Sequence, residues 1–153
     1  PSLEHQEILG NLYIIFRRFL KGKKCRAVVA PFDVHFFKPE IKDPDVCQPD
    51  LLIACNIKET LNEKGRYMGT PSLVVEILSP STRSIDMVKK LNTYMLSGVE
   101  EFWVVDPKQK TLMIYVFKDL QIADFNTYRN DEVAVSQAFD GLAAPLEEVY
   151  SDI

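Results

Sequence analysis

One carboxylate, Glu76, interrupts the apolar run Leu73-Val74-Val75-Glu76-Ile77-Leu78, and this interruption restricts the possible folds more than any other feature of the chain. A run so short and so apolar reads as a strand deep inside a sheet. An ionised carboxylate buried there is costly unless it is paired, hydrogen-bonded or coordinated. Either a cation meets Glu76, or the residue stands at the open edge of the sheet. A second apolar strand, Leu51 to Cys55, opens on Pro49-Asp50. Adjacent strands lie about 4.8 Å apart, so a suitable register lets Asp50 and Glu76 grip one ion. Oxygen-only donors suit a hard cation, Mg²⁺ or Mn²⁺.

Around these strands the periodicity alternates between helix and sheet. Ser2 caps an opening helix in which Leu3, Ile8, Leu12, Ile15, Phe16 and Phe19 form one face, ending near Gly22. Ala27 to Phe37 reads as a β-rich run broken by Pro31, with Asp33 and His35 at alternate positions. Pro39 to Pro49 is expected to be an irregular connection carrying little core. Asn56 to Pro71 is a charged loop, a candidate lid or an ordinary surface loop.

A second helix is expected over Asp86 to Ser97, stopped by Gly98, with Ser79, Ser81 and Thr82 capping its start. Strands follow at Glu101–Asp106 and Thr111–Phe117, then two weaker edge strands around Asn130-Asp131 and a short docking segment, Leu142 to Tyr150. Trp103 is read as core. With no repeat or seam, residues 1–153 form one α/β domain, a mixed central β-sheet flanked by helices. The order is not a run of βα units, which excludes a dinucleotide fold, and no nucleophile elbow or P-loop is present.

Eighteen Lys plus Arg against 22 Asp plus Glu give a net charge of 18 − 22 = −4, so a nonspecific nucleic-acid coat is not expected. The basic run Arg17, Arg18, Lys21, Lys23, Lys24 and Arg26 is read as a solvated helix end rather than a phosphate contact. Cys25, Cys47 and Cys55 are odd in number and contain no CxxC pair. Neither a disulfide framework nor structural zinc is expected, and Cys47 and Cys55 are read as small apolar groups. No signal-peptide pattern opens the chain and no stretch approaches about 18 apolar residues, so the expectation is a cytoplasmic protein without a membrane partner.

Asp86 and Lys90 are four apart on the second helix, with Tyr94 one turn on. They form a salt bridge, or Lys90 reaches a scissile phosphate. Pro49-Asp50, Val74-Val75-Glu76-Ile77-Leu78-Ser79-Pro80-Ser81-Thr82, Asp86-x-x-x-Lys90 and Gly98-Val99-Glu100-Glu101-Phe102-Trp103-Val104-Val105-Asp106-Pro107 occur in one order along nearly the whole chain. This set resembles a bacterial and cyanobacterial family of restriction-endonuclease-like proteins in the PD-(D/E)XK nuclease superfamily.

The resemblance implies a restriction-endonuclease-like core and Mg²⁺- or Mn²⁺-dependent hydrolysis of DNA phosphodiesters, in a homodimer that meets both strands of a duplex. It assigns the metal to Asp50 and Glu76, with the backbone carbonyl of Ile77 and a helix-one acid, Glu4, as further ligands and His5 as the rival to Glu4. The superfamily's E-x-K lysine is replaced here by Leu78, and the lysine function falls to Lys90. The competing expectations are a binding or assembly module that keeps the fold without turnover, and a hydrolase of small phosphoesters.

Overall fold

The structure, a computed structural model, describes residues Pro1–Ile153. Helix α1 (Leu3–Leu20) begins where the Ser2 hydroxyl accepts a hydrogen bond from the His5 N–H, and it buries Ile8, Leu12, Ile15, Phe16 and Leu20 along one stripe. Four strands follow: β1 (Arg26–Val29), β2 (Val34–Phe36), β3 (Asp45–Cys47) and β4 (Leu51–Ala54). Next come β5 (Leu73–Ile77), α2 (Ser84–Ser97) and β6 (Glu101–Asp106), then β7 (Thr111–Lys118) and β8 (Gln121–Tyr128). The chain closes with β9 (Val133–Val135), β10 (Ala143–Pro145) and α3 (Leu146–Val149).

The main sheet has the order β1-β4-β5-β6-β7-β8. Only β5 and β6 are parallel; every other neighbouring pair is antiparallel, so the sheet is mixed, as the sequence predicts. A parallel pair needs a long crossover, which α2 supplies, and Gly98 ends that helix in the left-handed conformation (φ 96°). Alternation along β5 sends Leu73, Val75 and Ile77 to a core beneath α1, where Phe16 meets Trp103 edge-on at 5.3 Å. Val74 faces the opposite core, with Leu52, Phe102 and Tyr94 of α2. Both faces of the sheet are covered, which explains why β4 and β5 are apolar at nearly every position.

Three expectations are corrected. The stretch from Pro39 to Pro49 is not wholly irregular, because Asp45–Cys47 pairs with β2 as a hairpin that is fastened by Lys38 (2.7 Å) and Thr93 (2.9 Å) on Asp45. The hydroxyls of Ser79, Ser81 and Thr82 do not cap α2. They bond to one another, Thr82 Oγ1 accepts from the Ser79 N–H at 2.9 Å, and the capping position belongs to Arg83 without a side-chain bond. Cys25 and Cys55 form a disulfide, leaving Cys47 free. The β1–β4 register pairs Arg26 with Ala54, so one step further sets Cys25 opposite Cys55. No local spacing reveals a pairing made by sheet register.

Candidate active site

The β4–β5 register pairs Leu51 with Val75; continued by one residue, it sets Asp50 across from Glu76 on the same face. Asp50 lies just outside β4, and its Oδ2 accepts a hydrogen bond from the Ile77 N–H at 2.7 Å, which ties the carboxylate to the end of β5. The first turn of α1 brings His5 Nε2 to 3.3 Å from Asp50 Oδ1. Glu76 is only 5% exposed, and α2 reaches it twice. Lys90 Nζ donates to Oε2 at 3.1 Å and the Tyr94 hydroxyl donates to Oε1 at 2.6 Å, since residues four apart share a helix face.

Burial pushes the Glu76 carboxyl above the usual carboxylate range; the Lys90 charge opposes that shift and the nearby Asp50 charge adds to it. Burial, with Glu76 beside it, also drives the Tyr94 hydroxyl far upward, so it stays a donor. A cavity of about 590 Å³ adjoins this cluster between β3 and the start of α2, with Lys89, Lys90, Ser81, Thr82, Thr93 and Cys47 in its wall. Burial raises the Cys47 thiol, and the Glu76 charge adds to the effect.

Of the residues singled out in the sequence, Asp50, Glu76 and Lys90 come together. Ile77 joins them through its N–H. Glu4 is exposed, and its charge is felt by Tyr150; the α1 residue against Asp50 is His5. Lys90 pairs with Glu76 and not with Asp86. Asp33 accepts from Gln48 Nε2 at 2.8 Å, apart from the cluster. Tyr94, one turn beyond Lys90 on the same helix side, carries no role in the sequence, because a tyrosine at apolar helical spacing looks like core; folding puts its hydroxyl on Glu76.

No group of three or more His, Cys, Asp or Glu is assembled as a metal cage. The donor set is two carboxylates, which fits an ion such as Mg²⁺ that keeps several waters and shares its shell with substrate phosphate. The Lys90 ammonium already holds a positive charge against Glu76.

No curated protein matches the chain. A solved structure described as a putative nuclease belonging to DUF820 from Anabaena variabilis ATCC 29413 superposes with a TM-score of 0.77 at 18% identity, covering 99% of this chain and 82% of that one. At that identity the likeness concerns the fold, which is the mixed-sheet restriction-endonuclease-like core. The sequence model of the Uma2 family, described as "Putative restriction endonuclease", matches residues 1–147. With the match spanning nearly all of its 153 residues, the chain belongs to the Uma2 family.

Proposed function

We propose that this chain is a divalent-metal-dependent endonuclease that hydrolyses DNA phosphodiester bonds at the Asp50–Glu76 pair. The observation that carries the reading is the facing of these carboxylates across β4 and β5, with Lys90 on Glu76. A bound Mg²⁺ or Mn²⁺ would supply Lewis-acid polarisation of the phosphoryl group and a lowered water pKa. Asp50 and Glu76 would hold it, Asp50 being kept in place by the Ile77 N–H and Glu76 by the Tyr94 hydroxyl. Lys90, which bonds Glu76 Oε2 and lines the adjoining cavity, would orient the attacking hydroxide or offset charge on the phosphate. This is how a lysine on a helix serves where Leu78 occupies the E-x-K position. A homodimer would offer one such centre to each strand of a duplex, and a cytoplasmic setting gives access to DNA.

A second reading, a module that keeps the fold without turnover, is favoured by one observation. All four carboxylate oxygens of Asp50 and Glu76 already meet a protein group: Ile77 N–H, His5, Lys90 and Tyr94. Incubation with plasmid, single-stranded DNA and RNA in Mg²⁺, Mn²⁺ and EDTA, beside an Asp50→Ala control, separates the two. Metal-dependent DNA cleavage abolished in the variant is the expected result, and cleavage by the variant at the wild-type rate removes the assignment.

A further inference from the structure

The basic run at the end of α1 is more than a solvated helix end once folded. Arg17, Arg18, Lys21, Lys23, Lys24 and Arg26 are all exposed, and none joins an ion pair with an acidic residue. Folding adds Lys58, from the far end of β4, to the same surface. Two hollows of about 260 and 540 Å³ meet there, sharing Lys23 and Arg26, and Glu59 is the sole acid in either lining. In a chain of net charge −4, seven unpaired cations gathered at one end form a strongly positive field against a negative whole.

The patch also has a defined relation to the catalytic end. Strand β1 is the outer strand of the sheet, and its exposed edge begins at Arg26, opposite Ala54. It ends beside the active site, where the Ala30 N–H donates to the Asp50 carbonyl at 3.1 Å. Helix α1 runs the same way, from Lys21 back to His5, about 24 Å at 1.5 Å per residue. One DNA strand advances about 3.4 Å per phosphate, so that span covers roughly seven nucleotides, while β1 from Arg26 to Ala30, about 13 Å at about 3.3 Å per residue, covers roughly four.

We infer that this α1–β1 end is a backbone-binding surface for nucleic acid, which grips phosphates roughly four to seven nucleotides from the scissile bond without reading sequence. The choice of partner rests on the DNA reading of the catalytic centre; the binding test does not require turnover. Charge complementarity to a regularly spaced polyanion and the distance along β1 favour nucleic acid over an acidic protein.

The test is fluorescence-anisotropy titration of a labelled 20-base-pair duplex in EDTA, which suppresses metal-dependent cleavage, over 50–200 mM salt. The K23Q/K24Q/R26Q variant should bind at least about tenfold more weakly at 0.1 M salt, with the slope of log K on log salt shallower by about 2 to 3. A K108Q/K110Q control, altered in the exposed β6–β7 turn, should bind as wild type. Unchanged affinity and slope in the triple variant would overturn the assignment while leaving the nuclease reading standing. Equal, equally variant-sensitive binding of poly-glutamate would overturn it in favour of an acidic protein. Loss of binding in a chain that cuts nothing would keep the surface and remove the nuclease.

Discussion

Replacing Tyr94 with phenylalanine removes one oxygen and leaves the ring in place between Phe36 and Phe102, at 4.9 and 5.0 Å. The packing therefore survives, and the measured change isolates the 2.6 Å bond to Glu76 Oε1. A hydrogen bond to a charged group is worth about 1.5–3 kcal/mol, against about 0.5–1.5 kcal/mol for a neutral pair. In a chain of this size each kcal/mol moves Tm by about 2–4 °C, so Tyr94→Phe should melt about 3–12 °C lower at pH 8. Donation from Tyr94 favours ionised Glu76, whose pKa burial holds above the ordinary 4.5. The deficit should accordingly shrink as pH falls toward 4.5 and the carboxyl takes up its proton. Thermal unfolding followed by circular dichroism at pH 8 and pH 4.5 reads both numbers. A deficit of the same size at both pH values, or none at pH 8, would refute the reasoning.

Glu76→Gln should stabilise the fold while removing metal-dependent cleavage. Because the folded-state pKa of Glu76 is raised, the stability it contributes is full below about pH 4.5 and is lost as pH rises through the folded value. The permanently neutral variant should therefore be more stable than wild type at pH 8, with the gap closing below pH 4.5; a urea-midpoint series across that range checks it. Reducing the Cys25–Cys55 bridge, which spans 30 residues of sequence, should cost about 3–4 kcal/mol by chain entropy, read as a lower unfolding midpoint with reductant; an identical midpoint contradicts the pairing. Lys90→Ala should lower turnover more than metal affinity, and unchanged cleavage beside an unchanged calorimetric metal titration would end its proposed role.

The carboxylate centre was legible in the sequence because burial makes a charge conspicuous. Glu76 stands out in an apolar strand, and Asp50 opens the apolar strand beside it. Lys90 came within reach of inference because helical spacing is regular. What stayed hidden depends on how elements meet. The hydroxyl of Tyr94 finds Glu76 only once α2 has settled on the sheet, and His5 finds Asp50 only where the first turn of α1 passes the start of β4. Strand β3 is only three residues long and flanked by prolines, so its pairing with β2 leaves no periodic trace, yet the pairing positions Asp45 and Cys47 on the cavity wall. The Cys25–Cys55 bridge likewise follows from the β1–β4 register, a non-local property. In the basic run, charge was visible at once, but its joining by Lys58 from another element was not.

The facing of Asp50 and Glu76 as a cation site is tested most directly by an anomalous difference map from crystals soaked in Mn²⁺. The account predicts one peak with an oxygen of each carboxylate about 2.1 Å away, and with the Lys90 ammonium moved off Glu76. A map with no peak between them, Lys90 still bonded to Glu76 at saturating Mn²⁺, would contradict it.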